Sequence, residues 1–258
     1  MLFISNISSC SFLDEREKLP KEKKDLIERE LIINFSKAIK KNPNNFFFYF
    51  ERGKAKQNYG DFKGAINDFN YALKLNPDNK FIFYRANAKF DYGDYRGAIK
   101  DYEKVIFIKK LKDQIFFNIA SAQLTNLNYE DAIKNYTKAI LYDDDDAYAY
   151  LYRGDAKFKT NDYEGSVEDY SKSLSINSKS FITFNNNGVS KFKLGNFKGA
   201  LEDFKRSLKI NPKNYNTLYN KSLTHLRLKE KNQACFDLKK SIKLGKEVFK
   251  DEYLKICN

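Results

Sequence analysis

The chain has 258 residues, of which 42% are hydrophobic and 16% aromatic, and it carries a formal net charge of +13. No apolar run in it approaches the roughly 20 residues of a membrane-spanning helix, which argues against a membrane span. The three cysteines show no CxxC spacing. We therefore expect neither a disulfide framework nor a zinc site, and predict a reducing, cytoplasmic location.

The first segment, residues 1–21, is predicted to be a disordered or loosely ordered tail. It lacks the basic region and the unbroken apolar run of about 7 to 15 residues that a signal peptide needs. Ile7 to Cys10 loosely resembles a bacterial lipobox, and a simple tail is favoured over this alternative. Residues 22–45 then predict an N-terminal capping helix or degenerate repeat. Its predicted apolar side carries Leu26, Ile27, Leu31, Phe35, Ala38 and Ile39.

From Phe46 onward the sequence contains six copies of one unit. Each copy has a small marker residue, and successive markers lie 33, 34, 34, 34 and 34 residues apart. A period kept this strictly predicts a solenoid of stacked helical hairpins. We number repeat positions from Phe46, so that the copies, repeats one to six, begin at residues 46, 79, 113, 147, 181 and 215. The markers, at position 20, are Ala65, Ala98, Ala132, Ser166, Ala200 and Ala234.

The first copy, residues 46–79, resembles the tetratricopeptide repeat. The resemblance rests on a large residue at position 4, small residues at positions 8, 20 and 27, an aromatic at 24 and proline at 32. In the first copy these are Tyr49, Gly53, Ala65, Ala72, Phe69 and Pro77.

The resemblance implies an all-α fold, a right-handed superhelical solenoid of antiparallel helix pairs. Six repeats would cover residues 46–248, and residues 249–258, with Phe249, Tyr253 and Ile256, would form a C-terminal capping helix. The family is one of protein-interaction scaffolds. It therefore implies non-enzymatic binding of other proteins without a cofactor.

Comparison of the copies predicts an ion pair between the two helices of a repeat. Position 7 is usually basic where position 23 is aspartate, and the copy with an apolar residue at 7 has asparagine at 23. Asn187 with Asp203 is the exception. The predicted pairs are Arg52 with Asp68, Arg85 with Asp101, Arg153 with Asp169 and Lys221 with Asp237, against Ile119 with Asn135.

Catalytic and metal-binding patterns are absent from the sequence, so no catalytic residue and no metal site are predicted. His225, the only histidine, stands at position 11, where we expect it to pack against the second helix. The acidic run from Asp143 to Asp146 lacks the ligand spacing of an EF-hand. We expect it to cap the helix that follows.

The family resemblance implies a peptide-binding groove along the first helices, on the face that carries positions 2, 5, 9 and 12, with position 6 pointing more openly. In a competing interpretation the aromatic residues at positions 5 and 12 pack between neighbouring first helices and belong to the core. No three consecutive copies satisfy the family's carboxylate clamp, so a chaperone C-terminus is not indicated as a ligand. The candidate groove residues are Phe47, Phe50, Lys54, Phe83, Tyr84, Asn87, Phe117, Asn118, Tyr148, Leu151, Tyr152, Asn185, Asn186 and Asn220.

Two functions from different classes follow. The first is a scaffold that holds an extended or helical segment of a partner protein along the groove of repeats one to four. The alternative is a Lys-rich solenoid recruited to nucleic acid or another anionic surface. Only 8 of the 47 basic residues are Arg, the residue that base and phosphate recognition favours, and the lysines are spread through every repeat. A protein partner is therefore favoured over nucleic acid.

Overall fold

The computed structural model describes residues 20–245 and 250–257, so the predicted tail lies almost entirely outside the described residues. All regular structure within those two ranges is helical. A short 3-10 turn, Lys109–Leu111, precedes the sixth α-helix. The α-helices are α1 Lys21–Lys41, α2 Phe46–Tyr59, α3 Phe62–Leu75, α4 Asn79–Tyr92, α5 Tyr95–Val105, α6 Lys112–Thr125, α7 Tyr129–Tyr142, α8 Ala147–Lys159, α9 Tyr163–Ile176, α10 Phe181–Lys193, α11 Phe197–Ile210, α12 Tyr215–Arg227, α13 Lys231–Lys243 and α14 Lys250–Cys257.

The chain divides into two compact units, one ending at Ile108 and one starting at Lys109. In the N-terminal unit α2 pairs with α3 and α4 with α5, and α1 packs on α2. In the C-terminal unit the pairs are α6 with α7, α8 with α9, α10 with α11 and α12 with α13, and α14 packs on α13. The prediction of an all-α array of consecutive helix pairs is confirmed.

Helix α1 begins directly after Pro20, and most of its predicted apolar side is half-buried. The prediction was wrong for Leu26, whose side chain is 59% exposed. Glu28 is buried instead, because its carboxylate finds a polar partner on α2, the side-chain amide of Asn58, at 3.1 Å.

The turn inside each helical hairpin requires one residue with positive φ. Glycine fills it at Gly60, Gly93 and Gly195. In the other hairpins Leu127, Asn161 and Lys229 adopt the same conformation, with φ of 61°, 65° and 61°. A side chain there is strained, because the left-handed region brings Cβ close to the following carbonyl oxygen.

The core of each of repeats one to five is built on the ring at position 24. These five rings are at most 1% exposed: Phe69, Tyr102, Tyr136, Tyr170 and Phe204. Three of them leave no room for a side chain on the first helix where the two helices cross. A Cβ added at position 8 would lie 2.8, 2.8 and 2.7 Å from a ring atom at Gly53, Gly154 and Gly188.

The predicted ion pairs between positions 7 and 23 are present. The bonding distances are 2.7 Å for Arg52 with Asp68, 2.7 Å for Arg85 with Asp101, 2.6 Å for Arg153 with Asp169 and 2.8 Å for Lys221 with Asp237. Asn187, the exception at position 7, also contacts its aspartate: its side-chain amide donates a hydrogen bond to Asp203 at 3.0 Å.

Sequence reasoning missed a second side chain that contacts each of these aspartates. It comes from position 11, one helical turn after position 7, and it is lysine in four copies: Lys56, Lys89, Lys157 and Lys191. In repeat six His225 takes this place. It is buried as expected, with Nε2 3.5 Å from Asp237 and Nδ1 bonded to Glu230.

The acidic run ends in a helix cap, as predicted. The Asp146 carboxylate accepts a hydrogen bond of 2.8 Å from the backbone N–H of Tyr148, in the first turn of α8. Among residues 20–245 and 250–257, no three His, Cys, Asp or Glu side chains are grouped so that they could hold a metal ion. In the same part of the chain, no helix has both the length and the apolar character to cross a membrane.

The prediction that the cysteines form no disulfide was wrong. Cys235 on α13 and Cys257 at the end of α14 are bonded to each other, with their Cα atoms 5.7 Å apart. Sequence spacing could not reveal this pair, because the last helix folds back on α13 and brings together residues 22 positions apart. The disulfide fastens the described part of the predicted C-terminal cap. Phe249, which was also assigned to that cap, lies outside the described residues.

Candidate functional site

The candidate groove residues on α2 and α4 form a surface that we call the N-terminal inner face. It consists of Phe47, Phe50, Lys54, Phe83, Tyr84 and Asn87. The two rings at position 5 are 4% and 8% exposed and belong to the core, as in the competing interpretation. The ring of Phe47 is 49% exposed. The ammonium group of Lys54 lies 5.4 Å from the ring centre of Phe50 and 5.9 Å from that of Tyr84. The accessible part of this face is therefore aromatic, and Lys54 there is paired with Glu51 at 3.1 Å.

The candidate residues on α6, α8, α10 and α12 form a second surface, the C-terminal inner face. It consists of Phe117, Asn118, Tyr148, Leu151, Tyr152, Asn185, Asn186 and Asn220. Leu151 is buried, whereas Tyr148 is 59% exposed and its ring stacks on that of Tyr152 at 6.3 Å. Phe117 meets the Tyr152 ring edge-on at 6.0 Å. These rings give the face an aromatic wall on α6 and α8, while Asn118 is half-buried beside it.

Three asparagines of this face form a chain of hydrogen bonds that runs from repeat six to repeat four. Asn220 donates to Asn185 at 3.1 Å, Asn185 donates to Asn186 at 3.2 Å, and Asn186 donates to Asp155 at 3.0 Å. Thr217 also donates to Asn185, at 3.0 Å. These side chains were predicted to line a peptide-binding groove. Each is partly engaged within the protein, although each amide nitrogen carries a second N–H.

Two cavities open on the C-terminal inner face, and Asp155 lines both. One, of about 500 Å³, also contacts Leu124, Phe158 and Asn186. The other, of about 350 Å³, is also lined by Tyr148, Leu151 and Tyr152. Predicted groove residues thus meet at two concave sites on either side of one carboxylate.

Asp155 was not predicted as a site residue. Its Oδ1 accepts hydrogen bonds from the hydroxyl of Tyr170, at 2.7 Å, and from Asn186. Burial raises the pKa of Asp155, although these two bonds and the charge of Lys159 oppose the shift. Burial also raises the pKa of Tyr170, and the nearby Asp155 charge adds to the shift.

The role of Asp155 could have been inferred from the sequence, because the residue types at positions 9 and 24 are correlated among the copies. Wherever position 24 is tyrosine, position 9 is polar and bonds to its hydroxyl. Where position 24 is phenylalanine, position 9 is Lys54 or Val189. The bonded pairs are Asn87 with Tyr102, Ser121 with Tyr136 and Asp155 with Tyr170.

Consecutive helical hairpins of nearly constant length, with an inner face on the first helix of each, define a helical repeat protein. Family models described as "Tetratricopeptide repeat" match residues 46–79, 117–180, 181–214 and 215–245. The chain belongs to the tetratricopeptide-repeat family, whose class of function is protein interaction. No curated protein sequence matches it.

Solved structures show the same fold at low sequence identity. The C-terminal part of a repeat-containing protein from Cytophaga hutchinsonii is 15% identical, with a TM-score of 0.71, covering 87% of this chain and 95% of that one. YrrB, described as having an unusual peptide-binding site, is 18% identical, with a TM-score of 0.60 and coverages of 72% and 97%. MamA from Desulfovibrio magneticus is 16% identical, with a TM-score of 0.61 and coverages of 66% and 96%.

Proposed function

We propose that this protein is a scaffold that binds an extended or helical segment of a partner protein on its inner faces. The observation that carries the proposal is on the C-terminal inner face. Two cavities there share Asp155 in their linings, and the smaller one is also lined by the stacked rings of Tyr148 and Tyr152. Cavities with apolar walls and a few polar groups are the usual form of a binding site in proteins. The peptide-binding site named for YrrB, which shares the fold, is consistent with this use.

The test is a pull-down from cell extract with identification of the recovered proteins by mass spectrometry. The variant Tyr148→Ala with Tyr152→Ala removes the α8 part of the aromatic wall, and Phe236→Ala is the matched control. Phe236 is 70% exposed on a second helix, outside both inner faces. We expect partner recovery to fall with the double variant and to persist with the control, at unchanged circular dichroism. Equal recovery with all three proteins would contradict binding at this face.

A second variant, Phe47→Ala with Tyr84→Ala, tests the N-terminal inner face separately. Both residues retain exposed surface, whereas truncating the buried Phe50 would report on folding instead of binding. If both inner faces bind the partner, each double variant should lower its recovery. Loss with only one of them would assign binding to that unit.

A further inference from the structure

Asp155 is the only charged residue at the inner-face positions of the C-terminal unit. Positions 2, 5, 6, 9 and 12 of repeats three to six include no lysine, arginine or glutamate and no other aspartate. This is unusual in a chain that is 31% charged and carries a formal charge of +13. These positions are thus neutral except for one carboxylate, and the lysines that line the two cavities, Lys159 and Lys179, come from other positions.

The fold does not need a charge at this position. The hydroxyls of Tyr102 and Tyr136 bond to Asn87 and Ser121, the neutral counterparts of Asp155 in repeats two and three. A carboxylate in the same place bears a desolvation penalty, which the raised pKa of Asp155 reports. A charged group kept where neutral groups perform the same structural task points to a role in recognition.

The carboxylate also has bonding capacity left. Both of its hydrogen bonds within the described part of the chain reach Oδ1, and both come from neutral donors. No described cation forms an ion pair with it. The charge of exposed Lys159, which lines the larger cavity, acts to lower the pKa of Asp155, and Lys179 lines the smaller cavity.

The smaller cavity adds aromatic surface beside the carboxylate. Tyr148 and Tyr152 line it together with Asp155, and their rings are stacked. Tyrosine rings attract cations over their faces, and a guanidinium or ammonium group forms its strongest hydrogen bonds with a carboxylate. Both cavities have volumes within the range of about 300 to 1,000 Å³ that is usual for binding pockets.

We propose that Asp155 is the recognition site for one arginine or lysine side chain of the segment bound on the C-terminal inner face. The inference rests on the proposed function and specifies the chemistry of the partner. The basic side chain enters beside Tyr148 and Tyr152 and bonds to Oδ2, while Tyr170 and Asn186 hold Oδ1 in place. Around it, the asparagines and apolar residues contact the remainder of the segment.

The experiment is a selection of random displayed peptides on the purified full chain. Four proteins are compared: wild type, Asp155→Asn, the wall variant Tyr148→Ala with Tyr152→Ala, and Glu168→Gln. The Asp155→Asn variant removes the charge and keeps an oxygen that accepts from Tyr170, as Asn87 does for Tyr102. Glu168 is an exposed acid on a second helix and serves as the charge control.

We expect peptides selected on wild type and on Glu168→Gln to share an arginine or lysine at one position, and those selected on Asp155→Asn to lack it. A selected arginine peptide should lose roughly tenfold or more in affinity on Asp155→Asn. It should lose a similar factor on wild type when its arginine is replaced by citrulline, which has the same shape without the charge.

Two results would overturn the inference in distinguishable ways. Peptides that bind wild type but not the wall variant, and that show no basic preference or bind Asp155→Asn equally well, would refute the role of Asp155 and leave the binding face intact. If no peptide is selected on wild type, or the wall variant selects the same peptides, the proposed binding face fails and the role of Asp155 fails with it.

Discussion

Asp203 and Asp101 occupy the same position in two repeats, yet their pKa values shift in opposite directions. Burial raises both. For Asp101 the hydrogen bonds from Arg85 and Lys89 outweigh burial, so the pKa falls below its ordinary value. Repeat five has Asn187 in place of the arginine, and there burial prevails and the pKa of Asp203 rises. The side-chain oxygen of Asn187 is also buried without a hydrogen-bond partner among the described residues.

Replacing Asn187 with arginine should therefore stabilise the protein, by about 1 to 3 kcal/mol. The arginine would bond to Asp203 as Arg85 bonds to Asp101, and the change removes the unpaired oxygen. Urea denaturation at neutral pH measures the gain. The matched control, Arg85→Asn, should cost a similar amount. A variant no more stable than wild type would show that repeat five cannot seat the larger side chain.

The gain should depend on pH. In wild type the raised pKa means that Asp203 favours folding most below its unfolded pKa, and this contribution is lost as pH rises through the folded pKa. In Asn187→Arg we expect the folded-state pKa of Asp203 to be lowered. Its contribution to stability is then present above the pKa of the unfolded state and is lost as pH falls through the pKa of the folded state. The stability difference should thus be largest at neutral pH and shrink on acidification. If the stability difference stays constant down to acidic pH, the gain does not arise from the ionisation of Asp203.

Leu127 holds a left-handed conformation that glycine occupies in three other hairpins. Replacing it with glycine should relieve this strain and stabilise the protein by about 0.5 to 1 kcal/mol, after the entropic cost of glycine in the unfolded chain. Its side chain is 70% exposed, so little burial is lost. The measurement is the urea midpoint. Asn161→Gly should gain less, because asparagine tolerates this conformation. Equal or lower stability for Leu127→Gly would argue against strain at this turn.

At the scale of helices, the last helix is held to the one before it by the Cys235 to Cys257 disulfide. Reduction should release Lys250–Cys257, because this short helix has few neighbours besides α13. We expect faster hydrogen exchange in these residues and little change before residue 215. Thiol titration under denaturing conditions provides the control. One of the three cysteines should react before reduction and all three after it. Three reactive thiols without reductant would contradict the bond.

Sequence periodicity predicted the helix pairs because each hairpin repeats the same local contacts. Position 7 predicted the ion pairs for the same reason. The residues at position 11 and the pairing of positions 9 and 24 also recur in the sequence of the copies. They could be recognised as contacts only once the structure showed how the two helices of a repeat pack. The disulfide and the burial of Glu28 could not be predicted, since both arise where the terminal helices depart from the repeat.

At the scale of the whole molecule, the positive charge is unevenly distributed over the repeat positions. The N-terminal inner face includes Lys54, and its neighbour Lys80 lies 5.4 Å from the Phe50 ring centre. The corresponding positions of repeats three to six have no basic residue. Several other cations are held by aspartates between helices. The net charge of +13 therefore does not describe the C-terminal inner face, and recruitment to an anionic surface would have to use other parts of the chain.

Stability in a repeat protein is approximately a sum of repeat and nearest-neighbour terms, so damage should stay local. Gly154 tests this, because a Cβ there would lie 2.8 Å from the Tyr170 ring. Gly154→Leu should overpack the crossing and cost about 1 to 3 kcal/mol. Hydrogen exchange should accelerate mainly within residues 113–214, while residues 46–79, in the other unit, keep most of their protection.

The control for this experiment is Gly154→Ala. Position 8 is alanine in repeats two and three, as Ala86 and Ala120, and both residues are fully buried. Position 24 of these two repeats is tyrosine, as it is in repeat four. Gly154→Ala adds one methyl group where those two repeats already carry alanine, so it should accelerate exchange much less than Gly154→Leu. Uniform loss of protection along the whole chain in Gly154→Leu would show that the six repeats unfold as one cooperative block, because overpacking in one repeat would then weaken residues 46–79 as much as its own neighbours.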